Sequence, residues 1–106
     1  MPRAILERVE ALIRRGWTSS VPARDSGGRR VEAKAIDAVS WSLFGALAAV
    51  SRPMSDEWQD AVKTLVVAAQ CSMPQCSTPV DLLDWSEAAA RTQEEVLAVV
   101  ELALKR

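Results

Sequence analysis

Apolar residues recur at helical spacing along most of the chain. The first run stops at Gly16 and comprises Ile5, Leu6, Val9, Leu12 and Ile13. A second run spans 36–51, with a stripe formed by Ile36, Val39, Leu43, Leu47 and Val50. Because apolar side chains also fill its other sides, this run predicts a central helix. Gly45 in its middle predicts the close approach of a neighbouring helix.

Capping residues predict where the later helices begin. A serine followed by two acidic residues begins a helix over residues 55–72. Thr78 followed by Pro79 begins a short helical turn that extends to about Trp85. The sequence Thr92-Gln-Glu-Glu95 has the form of a capping box and begins a helix that continues to the C-terminus.

The segment between the first two runs has the pattern of a β-hairpin. Residues 19–24 and 29–33 flank Asp25-Ser26-Gly27-Gly28, whose residue types tolerate a tight turn. Pro22 has no N–H to donate, so its strand is predicted to lie at an edge. With 106 residues, the chain has room for one core. We therefore predict a single domain over 1–106 of the α+β class, predominantly helical, with about four main helices and a small peripheral hairpin.

The composition excludes several classes of function. The chain has no histidine, which removes Ser-His-Asp and Cys-His catalysis and most zinc sites. A net charge of −1 gives no overall attraction for nucleic acid. The longest apolar run, 43–50, is too short to span a membrane, and residues 1–7 do not resemble a signal peptide. The sequence thus predicts a cytoplasmic protein with no membrane, nucleic-acid or cofactor association.

Two sets of residues are weak candidates for chemistry. Cys71 and Cys76 lack two further soft ligands for a metal, which leaves a disulfide or two ordinary cysteines. Carboxylates at near-helical spacing occur at Asp56, Glu57, Asp60, Asp81, Asp84 and Glu87. They serve either acid–base or Mg²⁺ chemistry, or the simpler role of helix-dipole partners on solvated faces. We assign no catalytic residue and no metal ligand.

Basic and aromatic residues are the candidates for binding a partner. Residues 1–53 hold nine Lys/Arg against five Asp/Glu, and residues 54–106 hold four against nine, giving +4 and −5. The basic residues around the hairpin turn are Arg24, Arg29, Arg30 and Lys34. Arginine and tryptophan dominate interface hot spots, so Trp17 and Trp85 join them as candidates. The alternatives are a solvated hairpin tip and two tryptophans that pack in the core.

Several strings of residues, taken in order, resemble a known family. They are Gly16-Trp17-Thr18, Ala23-Arg24-Asp25, Asp37-Ala38-Val39, Gly45-Ala46-Leu47, Trp85 with Glu87-Ala88, and Arg91-Thr92 with Glu95-Val96-Leu97. Together they resemble a family of small bacterial and phage-associated proteins catalogued as a domain of unknown function, over most of the chain outside about 52–80. The chain departs from that pattern at Ser42, often cysteine in the family, and at Ser86-Glu87, often Asn-Asp. The resemblance supports the fold and implies no activity.

The functional prediction follows by elimination. We expect a non-enzymatic interaction protein that docks on another macromolecule, with an acidic protein surface as its partner, and that regulates or inhibits it. One alternative is a domain that binds a small ligand or nucleotide, or a minor enzyme that uses the Asp/Glu cluster. Another alternative is a structural subunit that forms a homodimer through its apolar helices.

Overall fold

The computed structural model describes residues 3–70, 73–88 and 91–105. Within these ranges it has five helices: α1 (Arg3–Arg15), α2 (Leu43–Val50), α3 (Asp56–Ala69), α4 (Pro79–Ser86) and α5 (Gln93–Leu104). Three short strands accompany them: β1 (Ala23–Arg24), β2 (Arg30–Val31) and β3 (Ser40–Trp41). No described helix is both long and apolar enough to cross a bilayer. The predicted α+β, predominantly helical fold class is confirmed.

Side-chain caps fix the starts of the later helices as predicted. The Ser55 hydroxyl accepts from the Trp58 N–H at the start of α3. The capping box that begins α5 forms as predicted, and a second one, between Thr78 and Asp81, begins α4. The short turn predicted after Thr78 is therefore a complete helix. α3 ends at Ala69, and the predicted end near Ser72 lies outside the described residues.

The two capping-box carboxylates predict a loss of stability in acid. Backbone N–H groups donate to both, from Ser77 to Asp81 at 3.0 Å and from Thr92 to Glu95 at 3.0 Å. These bonds lower the pKa of Asp81 and of Glu95 below their ordinary values. The contribution of these two carboxylates to the stability of the fold is therefore complete above the ordinary carboxyl pKa of about 4. It is lost as the pH falls through their lowered pKa values.

We expect the double variant Asp81→Asn/Glu95→Gln to lose stability less steeply than the wild type between neutral pH and pH about 3. Urea unfolding at several pH values measures this slope. The matched control is Asp84→Asn/Glu94→Gln, which removes two exposed carboxylates from the same helices. The change of slope should be larger in the capping-box variant than in this control. Equal slopes for wild type and the capping-box variant would contradict the assignment.

The sheet has the strand order β2-β1-β3, and β1 is antiparallel to both neighbours. Its β1–β2 pair confirms the predicted hairpin, with ladders only two residues long. The prediction of an edge position for the strand with Pro22 is wrong, because β1 is the central strand. Pro22 lies just before β1, so the ladder does not need its missing N–H. Its carbonyl oxygen instead accepts from the Ser42 N–H at 3.2 Å.

The second predicted helix is also corrected. It begins at Leu43 instead of Ile36, because the chain first makes successive turns and then pairs with β1 as β3. The Val39 N–H donates to the Arg24 carbonyl at 2.9 Å, which commits this stretch to the sheet. As a result, the side chain of Ile36 is 104% exposed, although the helical pattern placed it in the core.

The core is shared among the helices and is not centred on α2. α1 contacts α2, α3, α5 and β3, so the first helix has the central position that the sequence suggested for the second. The largest fully buried side chains of the described residues include Leu6, Ile13, Leu43, Leu47, Leu65, Leu82, Val96 and Val100. Each long helix supplies one apolar face, as its amphipathic spacing predicts.

Candidate functional site

The tip of the hairpin is fixed by its own hydrogen bonds. Asp25 Oδ1 accepts from the N–H groups of Gly27 and Arg29, both at 2.9 Å. The Gly28 N–H donates to the Asp25 carbonyl at 3.0 Å, and Gly28 has a φ of +82°, which glycine adopts without strain. Asp25 and the backbone groups of the turn therefore hold the tip without the side chains of Arg29, Arg30 and Lys34.

Arg24 is a structural residue of this turn. Its Nε donates to the Thr18 hydroxyl and its terminal guanidinium nitrogen to the Gly28 carbonyl, each at 2.8 Å. Both bonds tie the tip to the segment before the sheet. Because the guanidinium is occupied on two sides and partly buried, the structure places Arg24 beneath the tip, where it supports the turn.

The other three basic candidates are free in the described structure. Arg29, Arg30 and Lys34 are exposed, and none forms an ion pair or side-chain hydrogen bond with a described residue. Arg29 follows the turn directly, and Arg30 belongs to β2, opposite Arg24. A turn held by hydrogen bonds thus carries two exposed arginines that are adjacent in sequence, with Lys34 four residues after Arg30.

Lys34 also lines a groove between α1, residues 33–35 and α2. The groove has a volume of about 380 Å³ and an apolar floor that includes Leu12, Trp41 and Val50. Arg8 of α1 and Lys34 are the charged residues among those that line it, and no lining residue is acidic. The arrangement can hold an apolar group beside a negative charge.

Trp41 is held in place in the floor of this groove. Its indole N–H donates to the Ala33 carbonyl at 3.0 Å, and its side chain is almost fully buried. The Arg15 guanidinium carbon lies 5.5 Å from the centre of the Trp41 ring, within the range of a cation–π contact. Arg15 therefore lies over the aromatic ring of a groove that two further cationic residues, Arg8 and Lys34, line.

Trp17 and Trp85 make contacts on different elements. Trp17 is half-buried and forms an isolated parallel bridge with Trp41 of β3. Trp85 is on α4, where the Arg91 guanidinium carbon lies 4.4 Å from its ring centre. Arg91 also donates to the Trp85 carbonyl at 2.9 Å and pairs with Glu95 at 2.7 Å. Both side chains are partly buried and pack against the core, and the contacts of Trp85 with Arg91 link α4 to the segment before α5.

The structure describes Cys76 and all six candidate carboxylates, and no reactive centre is recognisable among these described residues. Cys76 is buried, and burial, followed by the charge of Asp81, raises the pKa of its thiol. Cys71 lies outside the described residues, so the predicted alternatives for the cysteine pair stay open. Asp81 is occupied by its capping box. Among the residues that the structure describes, no group of three or more His, Cys, Asp or Glu could hold a metal.

Sequence reasoning missed Arg8 and Arg15 as site residues. They appear in the sequence as the polar side of an amphipathic helix. The spacing Arg8, Leu12, Arg15 nevertheless puts all three on one face of α1, which is the sequence signal that could have found them. That face lies beside residues 33–35 only because the β2–β3 connection folds back onto α1.

Fold and surface together define a small helical domain with a basic hairpin and an adjoining apolar groove. The model of a family of unknown function (DUF6197) matches residues 1–106, and the chain belongs to this family. The match includes residues 52–80, which the resemblance in sequence did not cover. Searches of curated proteins and of solved structures found no match. Family membership thus supports the resemblance without adding an activity.

Proposed function

We propose that this is a non-enzymatic interaction protein that docks on an acidic surface of another protein and regulates or inhibits it. The observation that carries the proposal is the contrast at the hairpin tip. Asp25 and Arg24 hold the turn, while Arg29 and Arg30 remain exposed and unpaired among the described residues. The backbone of a turn that is already held in place loses little entropy when it binds, and the exposed cations on it steer an acidic partner toward this surface.

The division between paired and unpaired cations supports this proposal. Arg14 bridges Glu10 and Glu101, Arg91 pairs with Glu95, and Arg3 donates to a backbone carbonyl. The cations of the hairpin and the groove lack such partners in the described chain, namely Arg8, Arg15, Arg29, Arg30 and Lys34. Arg52, Lys63 and Lys105 are also unpaired among the described residues, so the hairpin cations differ from them in belonging to a turn that hydrogen bonds hold in place.

The proposal includes the compartment and the origin that the sequence predicts. We propose a cytoplasmic protein of bacterial or phage-associated origin, as the sequence and the family resemblance suggested. The alternative of acid–base chemistry at the carboxylate cluster receives no support from Asp81, because its Oδ2 accepts hydrogen bonds from the N–H groups of Ser77 and Thr78 at the start of α4. The homodimer remains a competing arrangement, and the experiments below distinguish it.

Charge reversal at Arg29 and Arg30 tests the proposal. We expect Arg29→Glu/Arg30→Glu to capture its protein partners from native host extract at least tenfold less well than wild type at low salt. The difference should shrink as salt rises, because screening weakens both steering and charge-assisted bonds. Folding should be intact, since exposed substitutions usually change stability by less than about 0.5 kcal/mol each.

The matched control for this test is Arg52→Glu/Lys63→Glu. It changes the net charge by the same amount at two other exposed positions, which form no ion pair with a described residue. Capture measured by quantitative mass spectrometry should be lost in the hairpin variant and kept in the control. Equal capture by wild type and hairpin variant at low salt would mean that the hairpin only connects β1 to β2.

A further inference from the structure

The groove between α1 and α2 has the features of a peptide-binding site. We propose that it binds a short amphipathic segment of the partner protein, in which an apolar side chain is flanked by carboxylates. This inference rests on the proposed function and specifies the chemistry of the partner. It places the apolar contact in the groove and leaves the exposed hairpin for longer-range attraction.

The positive charge around the groove favours a bound segment with negative charge. Arg8 and Lys34 line it, Arg15 lies over the Trp41 ring, and no ion pair with a described residue neutralises them. Glu32 belongs to the same loop but does not line the groove. An acidic segment would therefore gain charge-assisted hydrogen bonds from the rim, whereas a basic one would meet three like charges.

The floor determines the rest of the occupant's chemistry. Leu12, Trp41 and Val50 supply apolar surface inside a polar rim, which is the usual anatomy of the central part of an interface. A volume of about 380 Å³ lies at the small end of the range for binding pockets, about 300–1,000 Å³. That space suits one or two apolar side chains and not a large folded surface.

The Trp41 ring in the floor of the groove has a fixed orientation before a partner binds. The hydrogen bond from the Trp41 indole to the Ala33 carbonyl fixes the ring, so binding does not have to order it. Ala35 lines the groove, and the next residue, Ile36, is completely exposed. Ile36 is therefore an exposed apolar side chain next in sequence to the groove lining.

Three synthetic amphipathic peptides of equal length test this inference. All have the same leucine-bearing apolar face, and their polar faces consist of glutamate, glutamine or lysine. The four tryptophan indole N–H signals of the ¹⁵N-labelled protein report where each peptide binds. We expect the glutamate peptide to shift the Trp41 indole signal saturably, with a Kd below about 1 mM. Its binding should be at least tenfold tighter than that of the glutamine peptide, with none detectable for the lysine peptide.

Ala11→Glu provides the variant for this experiment. Ala11 is an exposed residue of α1 that lines the groove, so the substitution adds a carboxylate among the cations without disturbing the core. We expect Ala11→Glu to weaken the binding of the glutamate peptide at least tenfold. The control is Ala98→Glu, which makes the same change at an exposed position of α5 outside the groove lining. Ala98→Glu should bind the peptide like wild type, and both variants should show one cooperative melting transition.

Three results would overturn the inference: an unmoved Trp41 signal, equal binding of the glutamate and lysine peptides, or an Ala11→Glu variant that binds like wild type. Sedimentation of the protein alone gives a further check. A dimer that Ala11→Glu dissociates would make a second copy the occupant and would also overturn it. The hairpin test is independent of these results. If the glutamate peptide does not bind but the hairpin variant loses its partner, the conclusion is that an acidic partner binds without using the groove.

Discussion

Replacing Gly45 by alanine is expected to destabilise the protein by about 3 kcal/mol, the upper part of the range for overpacking. An added Cβ at Gly45 would lie 1.8 Å from the Pro22 carbonyl oxygen and 2.6 Å from its carbon. These are backbone atoms, and the oxygen already accepts from the Ser42 N–H at 3.2 Å. The segment cannot withdraw without losing that bond, so α2 or the chain before β1 must shift.

Helix propensity alone predicts the opposite sign for the change in stability, so the measured sign distinguishes the two effects. In an exposed helix, alanine would be more stable than glycine by about 1 kcal/mol. The steric term is larger, so the sign of the measured change decides whether α2 packs against Pro22. Urea unfolding of Gly45→Ala measures it. Gly27→Ala is the control, because its added Cβ would meet only Asp25 Oδ1, at 3.4 Å, and should change stability by less than about 0.5 kcal/mol. An increase in stability for Gly45→Ala would show that the close contact is absent.

Gly45 also shows how far the sequence could predict the packing. A glycine in an apolar helix predicts a close neighbour, and the structure has one. The expected neighbour was a helix, whereas the actual neighbour is the loop residue Pro22. The spacing of residues within one helix reports which face is buried, but it carries no information on which distant segment covers that face.

The elements that were predicted well are those fixed by local interactions. The Thr92–Glu95 capping box involves residues three positions apart, so the sequence contains the whole interaction. β3 is different, because it exists through the pairing of Trp41 with Ala23, eighteen positions away. Two residues that join a distant strand have no period long enough to recognise, and the apolar pattern around them was mistaken for the first turns of α2.

The candidate site also has a part that local sequence could predict and a part that depends on distant contacts. The sequence identified the basic hairpin, but it could not show that Arg24 is bound to Thr18 and Gly28 while Arg29 is free. That distinction depends on where the backbone turns and on which acceptors come within reach. The groove was missed for the same reason, since its two sides come from α1 and from a loop some twenty residues later in the chain.

Leu47 and Ile36 belong to one predicted apolar stripe, yet truncating them should have very different effects. Leu47 is completely buried in α2, and Leu47→Ala is expected to cost about 2–5 kcal/mol through lost burial and the cavity that remains. Ile36 makes no contribution to the core, because the turns before β3 place it in solvent. Ile36→Ala should therefore change stability by less than about 0.5 kcal/mol.

Urea unfolding of the two single variants tests this contrast, because each removes a branched aliphatic side chain from what the sequence presents as one helix face. The position of the start of α2 is what the comparison measures. If the helix began at Ile36, as the periodicity alone predicts, both substitutions would destabilise the protein by similar amounts. A loss above about 1 kcal/mol for Ile36→Ala, or below about 1 kcal/mol for Leu47→Ala, would contradict the strand at Ser40–Trp41 and the burial of α2 that follows it.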